Sequence, residues 1–340
     1  MLSILAVTFP FFALVLCGYL AARARWLPLD AVPGLNMFVL YFALPCMLFR
    51  FGSATPLEQL FNPVVALVWL LCAALIVAAT TWWARRHGAG WPDAALGALV
   101  ATFPNSGFMG VPLILALLGE RGAGPVMATV MIDMVVTTSA CIGLSQLGSA
   151  AGGGAAQAMR RALKGMARNP MPWSILLGAL FGALHWSLWA PLGKTVQLLA
   201  DAASPVALFT IGAVLARSQQ QLVVQGERAP SLHASSDAAH RAPPHAPPHA
   251  RLHDVGVIAA AKLVAHPALV WGVGAMAVAA GALAPDMFTA LVLVAALPAA
   301  SNVSLLGERF GADNGRIARV ILWTTAVAFF SFSGVVAMVV

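Results

Sequence analysis

Three ionisable residues lie where an apolar chain tolerates them least. Asp133, Lys262 and His266 each sit inside a long hydrophobic run. An ionisable group inside a membrane segment is costly, so it is read first as a functional candidate. Lys262 and His266 are four residues apart and share one face of any helix that holds them. Two readings stay open. Asp133 and Lys262 form a static pair that neutralises both charges, or they form a site where a proton or a sodium ion is coupled to a larger change. Breaking a buried pair is costly in either case, so cost does not decide between them. The other chemistry-bearing residues are amides and hydroxyls. Asn105 and Ser106 lie within Thr102-Phe103-Pro104-Asn105-Ser106-Gly107-Phe108-Met109-Gly110-Val111-Pro112, and Ser301 and Asn302 end Leu297-Pro298-Ala299-Ala300-Ser301-Asn302.

These amides sit at helix breaks. Each proline removes a backbone donor and crowds the carbonyl four residues earlier. In hydrocarbon the freed groups cannot turn to water, so broken backbone survives only against protein or a wet cavity. A restarting half-helix presents N–H groups that favour an anion. A halting half-helix presents carbonyls that favour a cation, and paired breaks in two halves of a chain point to a transporter's binding site. The expected substrate-binding set is therefore Pro104, Asn105, Ser106, Gly107, Pro298, Ser301 and Asn302, suited to a carboxylate. The plainer alternative is that the prolines only kink helices and the amides bond neighbouring helices. No partnered serine, aspartyl or zinc protease motif is read, so no enzyme, catalytic residue, metal or cofactor is expected.

The elements that must position these residues are membrane spans. The 340 residues are 60% hydrophobic and 9% charged, with a mean hydropathy of +0.86. A soluble domain carries about 25% charged residues, so lipid must cover this surface. The net charge of +7 does not indicate nucleic acid, because the basic residues fall in short connections and form no basic domain. At about 20 apolar residues per crossing, ten spans are predicted at roughly 3–22, 33–52, 62–83, 93–118, 124–146, 172–190, 195–217, 255–280, 286–307 and 315–338. The first is read as retained rather than as a cleaved signal. Alternate connections hold fifteen Lys and Arg residues against three (Arg50, Arg121 and Lys194), which places both termini outside. The four cysteines all fall inside spans, with no metal or disulfide spacing.

The halves echo each other. Ala43-Leu44-Pro45 to Gly52 aligns with Ala203-Ser204-Pro205 to Gly212, and Ala66-Leu67-Val68-Trp69 recurs as Ala268-Leu269-Val270-Trp271. With five spans per half, the second copy must be inverted. The expected fold is thus all-α and polytopic, a five-plus-five inverted repeat with two broken crossover helices, spans 4 and 9. Residues 1–147 form the first repeat and 148–170 a basic cytoplasmic linker. Residues 171–340 form the second repeat, carrying a Pro/His-rich insert at about 218–254 that is read as a disordered tether rather than a metal tract.

Four stretches together resemble the auxin efflux carrier family, which includes plant auxin exporters and bacterial malonate and malate permeases. They are Phe42-Ala43-Leu44-Pro45, Phe103 to Pro112, Lys262-Leu263-Val264-Ala265-His266-Pro267 and Leu297 to Asn302. The resemblance covers nearly the whole chain outside the two long loops, and the insert departs from the family pattern. It implies ten spans, a homodimer in a bacterial inner membrane, a scaffold of spans 1, 2, 6 and 7, and a moving domain of the rest. It also implies that Asn105 contacts a substrate carboxylate. The expected function is secondary transport of a small organic anion by alternating access, with protons or sodium as coupling ion. The alternatives are a sodium–proton antiporter on a related crossed-helix fold and a membrane receptor that does not transport.

Overall fold

The computed structural model describes residues 2–147, 160, 167, 170–227 and 248–339. Among these, every named element is a helix. The first half holds α1 (Leu2–Arg23), α2 (Leu29–Ala54), α3 (Pro63–Arg86), α4 (Trp91–Thr102), α5 (Val111–Leu118), α6 (Ala123–Ile132) and α7 (Thr138–Ser145). The second holds α8 (Pro170–Ala183), α9 (Ala190–Glu227), α10 (Pro248–Ala260), α11 (His266–Ala279), α12 (Pro285–Ala295), α13 (Val303–Phe310) and α14 (Asn314–Val339). Helices dominate because a helix satisfies its own backbone groups without water.

Six stretches are long and apolar enough to cross a membrane: Leu29–Ala54, Leu57–Arg86, Ser106–Ser145, Ala190–Arg217, Asp254–Ala279 and Asn314–Val339. Thr8–Arg23, Pro170–Ala183 and Pro285–Ala295 are shorter apolar helices. Two predicted boundaries move. The sixth run, expected to reach residue 190, stops being helical at Ala183. His185 then takes a left-handed φ of 53°, and Trp186 and Trp189 are exposed. The seventh runs on to Glu227, and the next helix starts at Pro248. Both ends of the expected insert are therefore helical, because the apolar spacing that ends a span does not end its hydrogen-bond ladder. The insert's middle, 228–247, and most of the 148–170 linker lie outside the described residues.

Proline is accommodated by a repeated local device. Pro45, Pro112 and Pro267 each stand second after a five-residue π turn, at Val39–Ala43, Ser106–Gly110 and Ala261–Ala265. In each case the residue before the proline bonds back five positions: Leu44 to Val39, Val111 to Ser106 and His266 to Ala261. A proline ring crowds the carbonyl four back. The wider turn moves that carbonyl aside and leaves the proline in the first turn of the next helix, where no donor is missed.

The broken segments sit at the centre. Every residue from Ala94 to Thr102 is buried, as is every residue from Ala290 to Ala300. A helix that is apolar and buried all round belongs to a core rather than a surface. Peripheral helices instead leave Phe9, Leu16, Met37, Phe42 and Leu67 exposed. Glycine brings two outer pairs to backbone contact, as expected where helices associate by close packing rather than by a hydrophobic drive. A Cβ on Gly212 of α9 would overlap the Val15 carbonyl of α1 and lie 2.6 Å from Tyr19 N. One on Gly52 of α2 would lie 2.7 Å from Ile175 O of α8.

Candidate functional site

The two breaks meet. α4 ends at Thr102, and Phe103 and Pro104 run extended before the π turn at Ser106–Gly110. Pro104 pairs with Ala299 as an antiparallel bridge. Asn105 N–H donates to Pro298 O at 2.8 Å, and Ala300 N–H donates to Phe103 O at 3.0 Å. Two prolines thus free two short extended segments that satisfy each other inside the protein, where water cannot. Gly110 permits the contact, since a Cβ there would stand 2.7 Å from Leu297 Cδ1.

The restarting ends carry donors. After the first break, Ser106 N–H bonds Pro104 O, and the next backbone bonds come from Met109 and Gly110 to Asn105 O. Among the described residues, the N–H groups of Gly107 and Phe108 thus have no backbone acceptor. After the second break, Val303 and Ser304 bond back to Ala300 and Ser301, so Ser301 and Asn302 hold the equivalent positions. Asn105 and Ser106 are buried. The Oδ1 atoms of Asn105 and Asn302 are buried with no hydrogen-bond partner among the described residues. Which amide atom is O and which N is an assignment, so each side chain offers an unused polar end of either kind. Gly107 is itself buried, yet a Cβ built on it would meet nothing within 4 Å. Space is therefore open in the Cβ direction of Gly107.

The halting end of the second break is closed by a side chain. Ala299 N–H would complete the ladder to Ala295 O, but it donates to Thr324 Oγ1 of α14 at 3.3 Å. Lys262 Nζ donates to Ala295 O instead, at 2.9 Å. Lys262 Nζ also lies 3.2 Å from His266 Nδ1. With Lys262 as an ammonium, which only donates, Nδ1 is the acceptor and the proton is assigned to Nε2. The His266 ring lies 5.2 Å from the Trp69 ring between centroids. Trp69 Nε1 donates to Asp133 Oδ1 at 3.0 Å, and Thr137 Oγ1 donates to the same oxygen at 2.9 Å.

This arrangement corrects the direct-pair reading of Asp133 and Lys262. Among the described residues, the ion pairs are Arg50–Asp201, Arg121–Asp286 and Arg316–Asp254. Asp133 and Lys262 lie in each other's electrostatic field, but Trp69 and His266 are the groups that each touches. Asp133, Lys262 and His266 are fully buried. Asp133 Oδ2 and His266 Nε2 are buried without hydrogen-bond partners among the described residues, two polar atoms left over in one cluster. Asp201 pairs with Arg50 at 2.9 Å. That pair lines a cavity of about 190 Å³ between α2, α9 and α5, with Met47, Phe51, Pro112 and Leu115.

Sequence reasoning missed Trp69, Thr324 and the Ala295 carbonyl. Trp69 had appeared only as part of the repeated Ala-Leu-Val-Trp, and a threonine in an apolar helix carries no mark of its partner. Among the described residues, no group of three or more His, Cys, Asp and Glu is placed to hold a metal ion.

Comparison with known proteins bears on what such a site serves. A family profile described as "Membrane transport protein" matches residues 3–152 and 155–336. A Rhizobium meliloti protein named "Putative malonate transporter" is 29% identical over 347 residues, spanning 100% of this chain and 97% of its own length. The Escherichia coli K12 protein named "Uncharacterized transporter YfdV" is 26% identical over 214 residues, 61% of this chain and 67% of its own. The Arabidopsis thaliana "Auxin efflux carrier component 8" is 21% identical over 279 residues, 66% of this chain and 75% of its own.

Proposed function

Because the chain belongs to the membrane transport, or auxin efflux carrier, family, we propose that it is a secondary carrier for a small carboxylate, held where the two breaks meet. The observation that carries this reading is the pairing of the breaks, Asn105 N–H to Pro298 O and Ala300 N–H to Phe103 O, with open space in the Cβ direction of the buried Gly107. Two restarting helix ends then point N–H groups and partial positive charge into one region, and carboxylates are held well by such groups. Ser106, Ser301 and the amides of Asn105 and Asn302 complete the set. The name of the Rhizobium relative makes malonate the first substrate to try.

Transport proceeds by alternating access, with substrate bound about equally in the two states, since a strong preference for either would trap the carrier. The moving unit is the core of broken helices, and the scaffold is α1, α2, α8 and α9. Ten crossings in a five-plus-five inverted repeat are part of the proposal. The glycine contacts support it: α1 packs on α9 and α2 on α8, and the exchange of repeats that takes the first pair into spans 6 and 2 reproduces the second. A homodimer in the inner membrane, with both termini periplasmic, completes the picture. Coupling to an ion gradient is assigned to the buried Asp133, His266 and Lys262 cluster.

The test is flux. Purified protein in proteoliposomes should exchange labelled malonate, and a panel of mono- and dicarboxylates should compete. Absence of flux or competition by every carboxylate, with intact folded protein, would refute the reading.

A further inference from the structure

The halting end of a broken membrane helix is where a carrier of this architecture would seat a coupling cation, because its last carbonyls point at the break unpaired. Here that place is filled from within the chain. Pro298 has no N–H to give, and the Ala299 N–H is diverted to Thr324 Oγ1. Ala295 O is thereby left as the exposed negative end of α12. The Lys262 ammonium covers it at 2.9 Å.

Three features mark Lys262 as more than a stray base. It is completely buried. No carboxylate among the described residues lies within ion-pair distance of it; Asp133 acts on it from farther off, and the group that its ammonium touches is the carbonyl end of a helix. It is also placed by design of the backbone: Ala261–Ala265 is a π turn, and Lys262 is locked to His266 Nδ1 at 3.2 Å, which is itself packed on Trp69. A lysine held this way stands where a sodium ion would otherwise accept the same carbonyl oxygen, and like charge excludes the ion.

We propose that Lys262 is the carrier's resident cation, a tethered ammonium that occupies the cation seat of the second break and makes the transport cycle independent of sodium. This rests on the carrier reading and narrows its coupling ion. Sodium then finds the seat at the second break taken, and ionic coupling runs through protons in the Asp133 cluster.

The experiment compares cations at one pH and one ionic strength. Malonate flux into proteoliposomes is measured in sodium, lithium, potassium and choline chloride for wild type, Lys262→Arg and Lys262→Met. Thermal stability of the same proteins in detergent is read in the same salts. Wild type should give equal flux and equal stability in all four. Lys262→Arg should keep measurable flux without a sodium effect. Lys262→Met should lose about tenfold or more in choline, a free-energy scale set by one charge-assisted hydrogen bond, and sodium or lithium should restore flux and raise its melting temperature.

Wild-type flux or stability that rises specifically with sodium would overturn the inference. So would Lys262→Met transporting like wild type in choline. A folded Lys262→Met protein that stays inactive in every salt would also overturn it, because a merely structural lysine gives that result. If Lys262→Met fails to fold, the wild-type salt comparison decides. If no carboxylate is carried at all, the carrier reading fails, while the sodium-dependent stability of wild type and Lys262→Met still tests the lysine.

Discussion

Two glycines three residues apart should answer oppositely to the same added methyl group. Gly107 is buried, and a Cβ built there meets nothing within 4 Å. Gly107→Ala therefore needs no repacking, and replacing a glycine at an unstrained position stabilises a protein by about 0.4–1 kcal/mol through the unfolded chain. The methyl does, however, enter the open space at Gly107, where the carrier reading seats the carboxylate. Displacing a carboxylate from one charge-assisted hydrogen bond costs about 1.5–3 kcal/mol, which is roughly tenfold to a hundredfold in KM. At Gly110 the same methyl would stand 2.7 Å from Leu297 Cδ1 and 3.3 Å from Ser106 Cβ. Overpacking of this kind costs about 1–3 kcal/mol and pushes the two breaks apart. The assay is a pair of measurements on each variant: melting temperature in detergent and malonate KM in proteoliposomes. Gly107→Ala should melt at or above wild type with a raised KM, and Gly110→Ala should melt lower. An unchanged KM in Gly107→Ala, with the protein folded, would show that this space is not where substrate sits.

Two further outcomes follow from the same geometry. Thr324→Val leaves the Ala299 N–H buried without its acceptor, so stability should fall by about 1–3 kcal/mol in chemical denaturation, and an unchanged protein would mean the 3.3 Å contact does not hold the second break in shape. Asp133→Asn keeps an acceptor for the Trp69 and Thr137 donors but cannot exchange a proton, so malonate flux measured across pH should flatten; a profile identical to wild type would remove Asp133 from coupling.

The breaks themselves were legible in the sequence because proline and glycine punctuate apolar runs in a way that nothing else does. Their meeting was inferred only from the symmetry of the two halves. The bonds that make it, Asn105 to Pro298 and Ala300 to Phe103, come from backbone atoms that carry no sequence signature. Lys262 and His266 stood out as charged residues on one helical face, yet the partner of Lys262 is a carbonyl, and every residue has one. A static Asp133–Lys262 pair was one of two readings that the sequence left open, but the side chains they touch are Trp69 and His266, both fully buried. Hydropathy also hides depth. The runs at Ala94–Thr102 and Leu57–Arg86 are both apolar, but the first is buried throughout, while the second leaves Leu67, Leu71 and Leu75 exposed. Lipid and protein core select the same side chains. The π turns ahead of Pro45, Pro112 and Pro267 were not readable from the prolines alone, since Pro10 and Pro205 stand inside continuous helices without one and the π turn at Asp133–Thr137 has no proline after it.

The most direct test of a carboxylate seated between the breaks is ligand-dependent stability in wild type and Asn105→Ala, measured side by side. A ligand that binds only the folded state raises its melting temperature with concentration. Malonate should stabilise wild type in a saturable way and leave Asn105→Ala, folded with an unchanged melting temperature in buffer, without response. An equal malonate response in both proteins would contradict the account.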